Sequence, residues 1–267
     1  MQLQMYQVDA FTDRVFAGNP AAVLVLDEWL TDDLLLAITQ ENNLSETAFV
    51  KPRGDGSWDL RWFAPAHEVD FCGHATLATA HILFTTQAVP APLTFHTRVG
   101  LLHATQVAGG YQLDLPRLNP QALDHLPDAL LAMFDTPPVA IFCNFENIFV
   151  DLGDAAKVHD FQPDLPAIAT LDTGGLVVTG QGAPGDKAAI VSRYFAPGAG
   201  IPEDPVTGSI HATLVPYWAQ KLGSDKLLAY QASARGGWLD CTLTDDRVLI
   251  VGQAVTYMQA SIVLPTT

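Results

Sequence analysis

Three short stretches hold side chains able to move a proton or hold an anion: Ser45-Glu46-Thr47, Cys72-Gly73-His74, and the run from Glu203-Asp204 through Thr207-Gly208-Ser209. Glu46 stands at the mouth of the apolar run Ala48-Phe49-Val50. Partial desolvation there would raise its pKa toward the range useful for proton transfer, although spacing alone equally suits an exposed strand-end carboxylate. His74 falls in a first helical turn, where the dipole favours the neutral ring. It could donate a hydrogen bond, relay a proton or simply pack. Cys72 precedes the same helix, a place that lowers a thiol pKa. Its counterpart in the third stretch is Thr207, which neither gives nor takes a proton near neutral pH. A racemase with one thiol on each face of a carbon needs both. Asp204, taken alone, reads as a turn or capping residue.

The elements that carry these residues occur twice. Residues 61–65 read Arg-Trp-Phe-Ala-Pro and residues 193–197 read Arg-Tyr-Phe-Ala-Pro. Each copy runs through a polar loop to a glycine that opens an apolar helix, at Gly73 and at Gly208. Two copies half a chain apart predict duplicated domains rather than a solenoid, which needs shorter periods. Helix starts leave backbone N–H groups without intrahelical partners, and glycine lets a ligand approach them, so a facing pair would bind an anion. The plainer alternative is that Asp70 and Ser209 cap two buried helices.

Around the repeats, runs bounded by Gly, Pro, Asn and Asp predict strands at 3–8, 21–26, 47–50, 60–63, 93–96 and 101–107. In the second half they predict strands at 139–142, 148–152, 175–178, 189–195, 239–243 and 248–251. A helix is predicted to start at Thr31 and stop at Asn42-Asn43, and a fully buried one to run from Gly73 to Thr85. A third spans about 207–222, where Pro216 predicts a kink or break. The segment 115–126 reads as the crossover. The expected division is 1–115, with a strand at about 254–267 returning to it, and 116–253.

The formal net charge of -16 argues against nucleic-acid and membrane-surface partners. Three cysteines make no disulfide framework, no signal peptide or membrane span is visible, and the expected location is cytoplasmic. His67, Asp70, His74, His81 and His211 match no zinc spacing, and no phosphate-binding loop, dinucleotide fingerprint or serine elbow occurs. Neither a metal nor a cofactor is expected.

Five blocks in order carry a family resemblance: Val8-Asp9-Ala10-Phe11-Thr12, Ala17-Gly18-Asn19-Pro20-Ala21, Ser45-Glu46-Thr47-Ala48-Phe49, Cys72-Gly73-His74-Ala75-Thr76 and Glu203-Asp204-Pro205-Val206-Thr207-Gly208-Ser209. With Ala212 to Trp218 they resemble the phenazine-biosynthesis PhzF-like family. The resemblance implies an α/β (α+β) fold of the diaminopimelate-epimerase type: two similar domains, each a curved sheet around a central helix, with the site in the cleft. It implies a cofactor-independent isomerase, with Glu46 as general acid/base and His74 and Asp204 beside it. Gly73, Gly208, Ser209 and Asn19 would bind the substrate, a small, carboxylate-bearing, cyclic metabolite. A homodimer is common in such families. Epimerisation of an amino-acid-like substrate and ligand binding without turnover are the alternatives.

Overall fold

The computed structural model describes residues 1–264. Its contacts divide the chain into two units, Met1–Asp114 with the segment from Val251 onward, and Leu115–Ile250.

The first unit contains β1 (Gln2–Ala10), β2 (Asn19–Val25), α1 (Asp32–Asn42), β3 (Glu46–Pro52), β4 (Trp58–Phe63), β5 (Glu68–Val69), α2 (Gly73–Thr86), β6 (Leu93–Thr97), β7 (Gly100–Val107) and β8 (Gly110–Pro116). The second contains β9 (Gln121–Ala122), α3 (Asp128–Leu131), β10 (Ala140–Cys143), β11 (Asn147–Asp154), α4 (Ala155–Asp160), α5 (Leu165–Ile168), β12 (Gly175–Gln181), β13 (Ile190–Ala196), β14 (Ile201–Asp204), α6 (His211–Leu222), β15 (Lys226–Gln231), β16 (Gly237–Leu243) and β17 (Arg247–Gly252). The last strand, β18 (Ala254–Val263), pairs antiparallel with β1.

The same pairing diagram is drawn twice. In the first unit β1 and β2 are antiparallel, β2 and β3 parallel, β3 and β4 antiparallel, β4 and β6 parallel, and β6 and β7 antiparallel. In the second, β10 through β16 repeat that sequence of relations. Phe63 in β4 pairs with Thr47 and Phe195 in β13 pairs with Leu176, so the two aromatic-Ala-Pro corners are structural equivalents. In each copy the arginine two residues earlier grips a glutamate in both of its carboxylate oxygens. Arg61 Nε and Nη2 donate to Glu68 at 2.8 and 2.7 Å, and Arg193 Nε and Nη2 donate to Glu203 at 2.7 and 3.1 Å. Each guanidinium also lies over the phenylalanine of its own corner, at 5.1 and 4.9 Å from the ring centre. Between Phe195 and Glu203 the second copy is three residues longer than between Phe63 and Glu68, and there the chain makes a 3₁₀ turn, Pro197–Ala199.

α2 has no polar face, and every residue from Gly73 to Leu83 is buried. It packs against β1, β2, β3, β7 and β18. Its buried threonines stay satisfied by donating to carbonyls one turn back, Thr76 to Cys72 at 2.6 Å and Thr79 to Ala75 at 2.7 Å. α1 begins after Thr31 and ends on Asn43, whose left-handed φ of 50° terminates it as the Asn pair predicts.

α6 departs from expectation at two points. It starts at His211 rather than near Thr207, because residues 208–210 form a tight turn with His211, Ala212 and Thr213 bonding three residues back. It also passes through Pro216 without a break. Proline leaves the Ala212 carbonyl without its helical donor, and Leu118 N–H takes that place at 3.0 Å. Helix α2 is capped by Cys72, with no side-chain bond, and α6 by Ile210, so neither Asp70 nor Ser209 caps a helix. Among the described residues no helix is long and apolar enough to cross a membrane.

Candidate active site

In the first unit, three separate loops converge. The turn after β1 is fixed by Gly18, whose φ is +65° and whose Cβ, were there one, would lie 2.1 Å from the Ala10 carbonyl oxygen. That turn starts β2 with Asn19. The loop after α1 starts β3 with Glu46, paired to Ala21. The strand β5 leads through Cys72 into α2, placing His74 in the first turn. His74 Nε2 lies 3.2 Å from Glu46 Oε2, Asn19 Nδ2 lies 3.1 Å from His74 Nδ1, and Cys72 Sγ lies 3.5 Å from the same Nδ1.

The cluster is nearly dry: the side chain of Glu46 is 12% exposed and that of His74 5%. Burial pushes the His74 pKa down to about 3, so the ring is neutral across the physiological range. Cys72, Glu46 and His74 offer donor atoms within 4.8 Å of one another, a spacing that a metal ion could bridge. Two features oppose a cation: Nδ1 is already engaged by Asn19, and Cys72 and His74 belong to the positive end of α2. His81, two turns along α2, bonds Tyr111 and Thr256 at 2.9 and 2.8 Å, and Asp70 pairs with Arg98, so these two have separate structural engagements.

In the second unit, the loop from Asp204 to Ser209 is tied down from a strand that sequence reasoning did not single out. Gln231, at the end of β15 and fully buried, donates from Nε2 to the Asp204 carbonyl at 2.8 Å and to Thr207 Oγ1 at 3.1 Å, and its Oε1 accepts from Thr207 N–H at 2.8 Å. The Thr207 hydroxyl in turn donates to the Asp204 carboxylate. His211 Nδ1 donates to the Thr207 carbonyl at 2.9 Å, and burial lowers its pKa to about 4. Gly208 and Ser209 lie in the turn that follows. Nothing local in the sequence marks Gln231, which is 24 residues from Thr207 and is placed by the pairing of β15 with β13 on one side and β16 on the other.

The expected residues therefore form two sets. The first unit brings together Asn19, Glu46, Cys72, Gly73 and His74, and the second holds Asp204, Thr207, Gly208 and Ser209 on one loop. Asn19, assigned from its motif to substrate binding, is fully buried with its amide nitrogen 3.1 Å from His74 Nδ1. The position equivalent to Glu46 in the second unit is Gly175, since each residue precedes the partner of the corner phenylalanine. A Cβ at Gly175 would stand 2.3 Å from the Phe195 carbonyl oxygen and 2.8 Å from the Tyr194 ring. The duplication thus supplies one carboxylate and leaves no room for its twin.

The family model for phenazine biosynthesis-like proteins, PhzC-PhzF, matches residues 8–260. A Pseudomonas aeruginosa protein named as an uncharacterized isomerase is 45% identical over 256 residues, covering 96% of both chains. A protein of the same description from Halalkalibacterium halodurans is 41% identical, covering 99% of this chain and all of its own. The crystal structure of a PhzF-family protein from Enterococcus faecalis superposes with a TM-score of 0.93 at 42% identity, covering 99% of this chain and all of the other. A hydroxyproline epimerase from Agrobacterium vitis, at 11% identity, shares the fold with a TM-score of 0.63 over 98% of this chain and 92% of its own. Fold, motifs and full-length similarity agree: the chain belongs to the phenazine biosynthesis-like, PhzC-PhzF, family and is an enzyme of the isomerase class.

Proposed function

We propose that the protein is a cofactor-independent isomerase in which Glu46 removes a proton from one carbon of a small carboxylate-bearing metabolite and returns it to another. The observation that carries this reading is the desolvated carboxyl of Glu46 beside a neutral imidazole, in the first turn of a helix whose amide hydrogens favour an anion. Asp204 and Ser209, on the Gln231-braced loop, are the second unit's candidates for orienting the substrate, and Gly73 and Gly208 for close backbone approach.

Double-bond migration is favoured over epimerisation by the number and spacing of the proton-transfer groups. Two bases working on opposite faces of one carbon each approach it to about 3–3.5 Å, so they stand roughly 6–7 Å apart. Glu46 and Cys72 have their reactive atoms within 4.8 Å of each other, short of that separation. The second unit offers Gly175 and Thr207 at the matching positions. One base moving one proton gives an isomer with a shifted double bond.

Replacement of Glu46 by Gln, followed by mass-spectrometric measurement of deuterium uptake from heavy water into a panel of unsaturated ring carboxylates, tests the reading. The expected outcome is a fall of about 10²- to 10⁴-fold in exchange into whichever carboxylate the wild-type enzyme labels. Undiminished exchange in Glu46→Gln removes Glu46 from the chemistry.

A further inference from the structure

We propose that Asn19 is a positioning residue that holds His74 in the Nε2-protonated tautomer, so that the ring turns an N–H and not a lone pair toward the Glu46 carboxylate and is not a relay for its proton. Geometry carries the argument. The Asn19 side chain is fully buried, and its Nδ2, which can only donate, lies 3.1 Å from His74 Nδ1. Nδ1 must then accept, and a neutral imidazole keeps its single proton on the other nitrogen. That nitrogen, Nε2, lies 3.2 Å from Glu46 Oε2, a close polar contact short of an aligned hydrogen bond, where the positive end of an N–H is attracted and a lone pair would be repelled. The opposite tautomer would set N–H against N–H at Asn19 and a lone pair against a carboxylate at Glu46, two unfavourable contacts in a buried site.

Asn19 is placed for this task by its backbone. It opens β2 in register with Ala10, directly after the left-handed turn at Gly18, so its side chain has little freedom to turn elsewhere. The consequence for the reaction rests on Glu46 being the base. A ring that already carries its proton on the nitrogen nearest Glu46, and that burial keeps from becoming imidazolium, cannot take a second one. The proton gained by Glu46 stays on Glu46 until it returns to carbon.

The test is ¹⁵N NMR of the protein labelled in its histidines, recorded at neutral pH without substrate, with the His74 resonances identified by their loss in His74→Gln. The wild type is expected to show protonated Nε2 and unprotonated Nδ1. In Asn19→Asp, whose carboxylate only accepts, the proton is expected on Nδ1, and in Asn19→Leu, which offers no donor, the fixed preference is expected to disappear. A wild-type ring protonated at Nδ1, or one whose tautomer is the same in folded Asn19→Asp and Asn19→Leu, overturns the proposal. If neither variant folds, the wild-type spectrum still decides the tautomer. The readout needs no turnover, so it stands apart from the Glu46→Gln exchange experiment, and either can fail without the other.

Discussion

At the scale of single residues, the chemistry depends on which groups are kept from water. Glu46 is a common residue type at a common place, a strand end, and its spacing alone does not separate a base from a solvated carboxylate. What distinguishes it is the arrival of His74 and Asn19 from elements 28 and 27 residues away, which no local pattern encodes. The motif blocks did carry the identities of all three. They did not separate the roles open to Asn19, because an amide that positions a histidine and one that binds substrate are the same letters. Cys72 and Glu46 have their donor atoms within 4.8 Å of each other, closer than the proposed reading allows two bases on opposite faces of one carbon. Cys72→Ala is accordingly expected to retain deuterium exchange within about threefold of wild type, measured on the substrate that the Glu46→Gln comparison uses. A loss approaching that of Glu46→Gln would restore the thiol to the mechanism and reopen epimerisation.

At the scale of elements, duplication was legible where a side chain has the same duty in both copies. The Arg-aromatic-Phe-Ala-Pro corner recurs because each arginine must reach its glutamate and cover its phenylalanine. Illegible were the short strands β5 and β14, whose two and four residues are too few for a periodic pattern, and the tie from Gln231. Pro216 misled for a definite reason: its effect on α6 is set by Leu118, a donor from a distant loop. The position matching Glu46 supplies a test at this scale. Gly175→Ala places a methyl group against strand backbone, which cannot rotate away, so a loss of about 1–3 kcal/mol is expected by urea unfolding. Stability equal to wild type would mean that β12 and β13 can part at little expense, and that glycine there serves some other end.

At the scale of the whole molecule, each unit has its own apolar core, built around Leu24, Leu35 and Phe49 in one and around Val150, Val178 and Phe195 in the other. Each also buries a neutral histidine, His74 in the first and His211 in the second. Both have folded pKa values, about 3 and about 4, below the ordinary 6.5. Below pH 6.5 the unfolded chain therefore binds protons that the native state refuses, and stability falls with acidification until the folded values are reached. Each such histidine contributes a slope of about 1.4 kcal/mol per pH unit in that window. Urea unfolding of wild type and His211→Gln between pH 7 and pH 4.5 should show the shallower decline in the variant, and equal slopes would place the titration elsewhere. No apolar run in the sequence reaches the length of a membrane span, and among the described residues no helix does, but composition gave no hint of how the two units are threaded. That threading has a consequence for synthesis. The second unit is one uninterrupted stretch, whereas the first waits for β18 to lie along β1, from Val263 beside Gln2 to Ala254 beside Ala10. A nascent chain therefore holds every residue needed for the later unit before the earlier one can be finished, and the half that bears Glu46 emerges first but matures last.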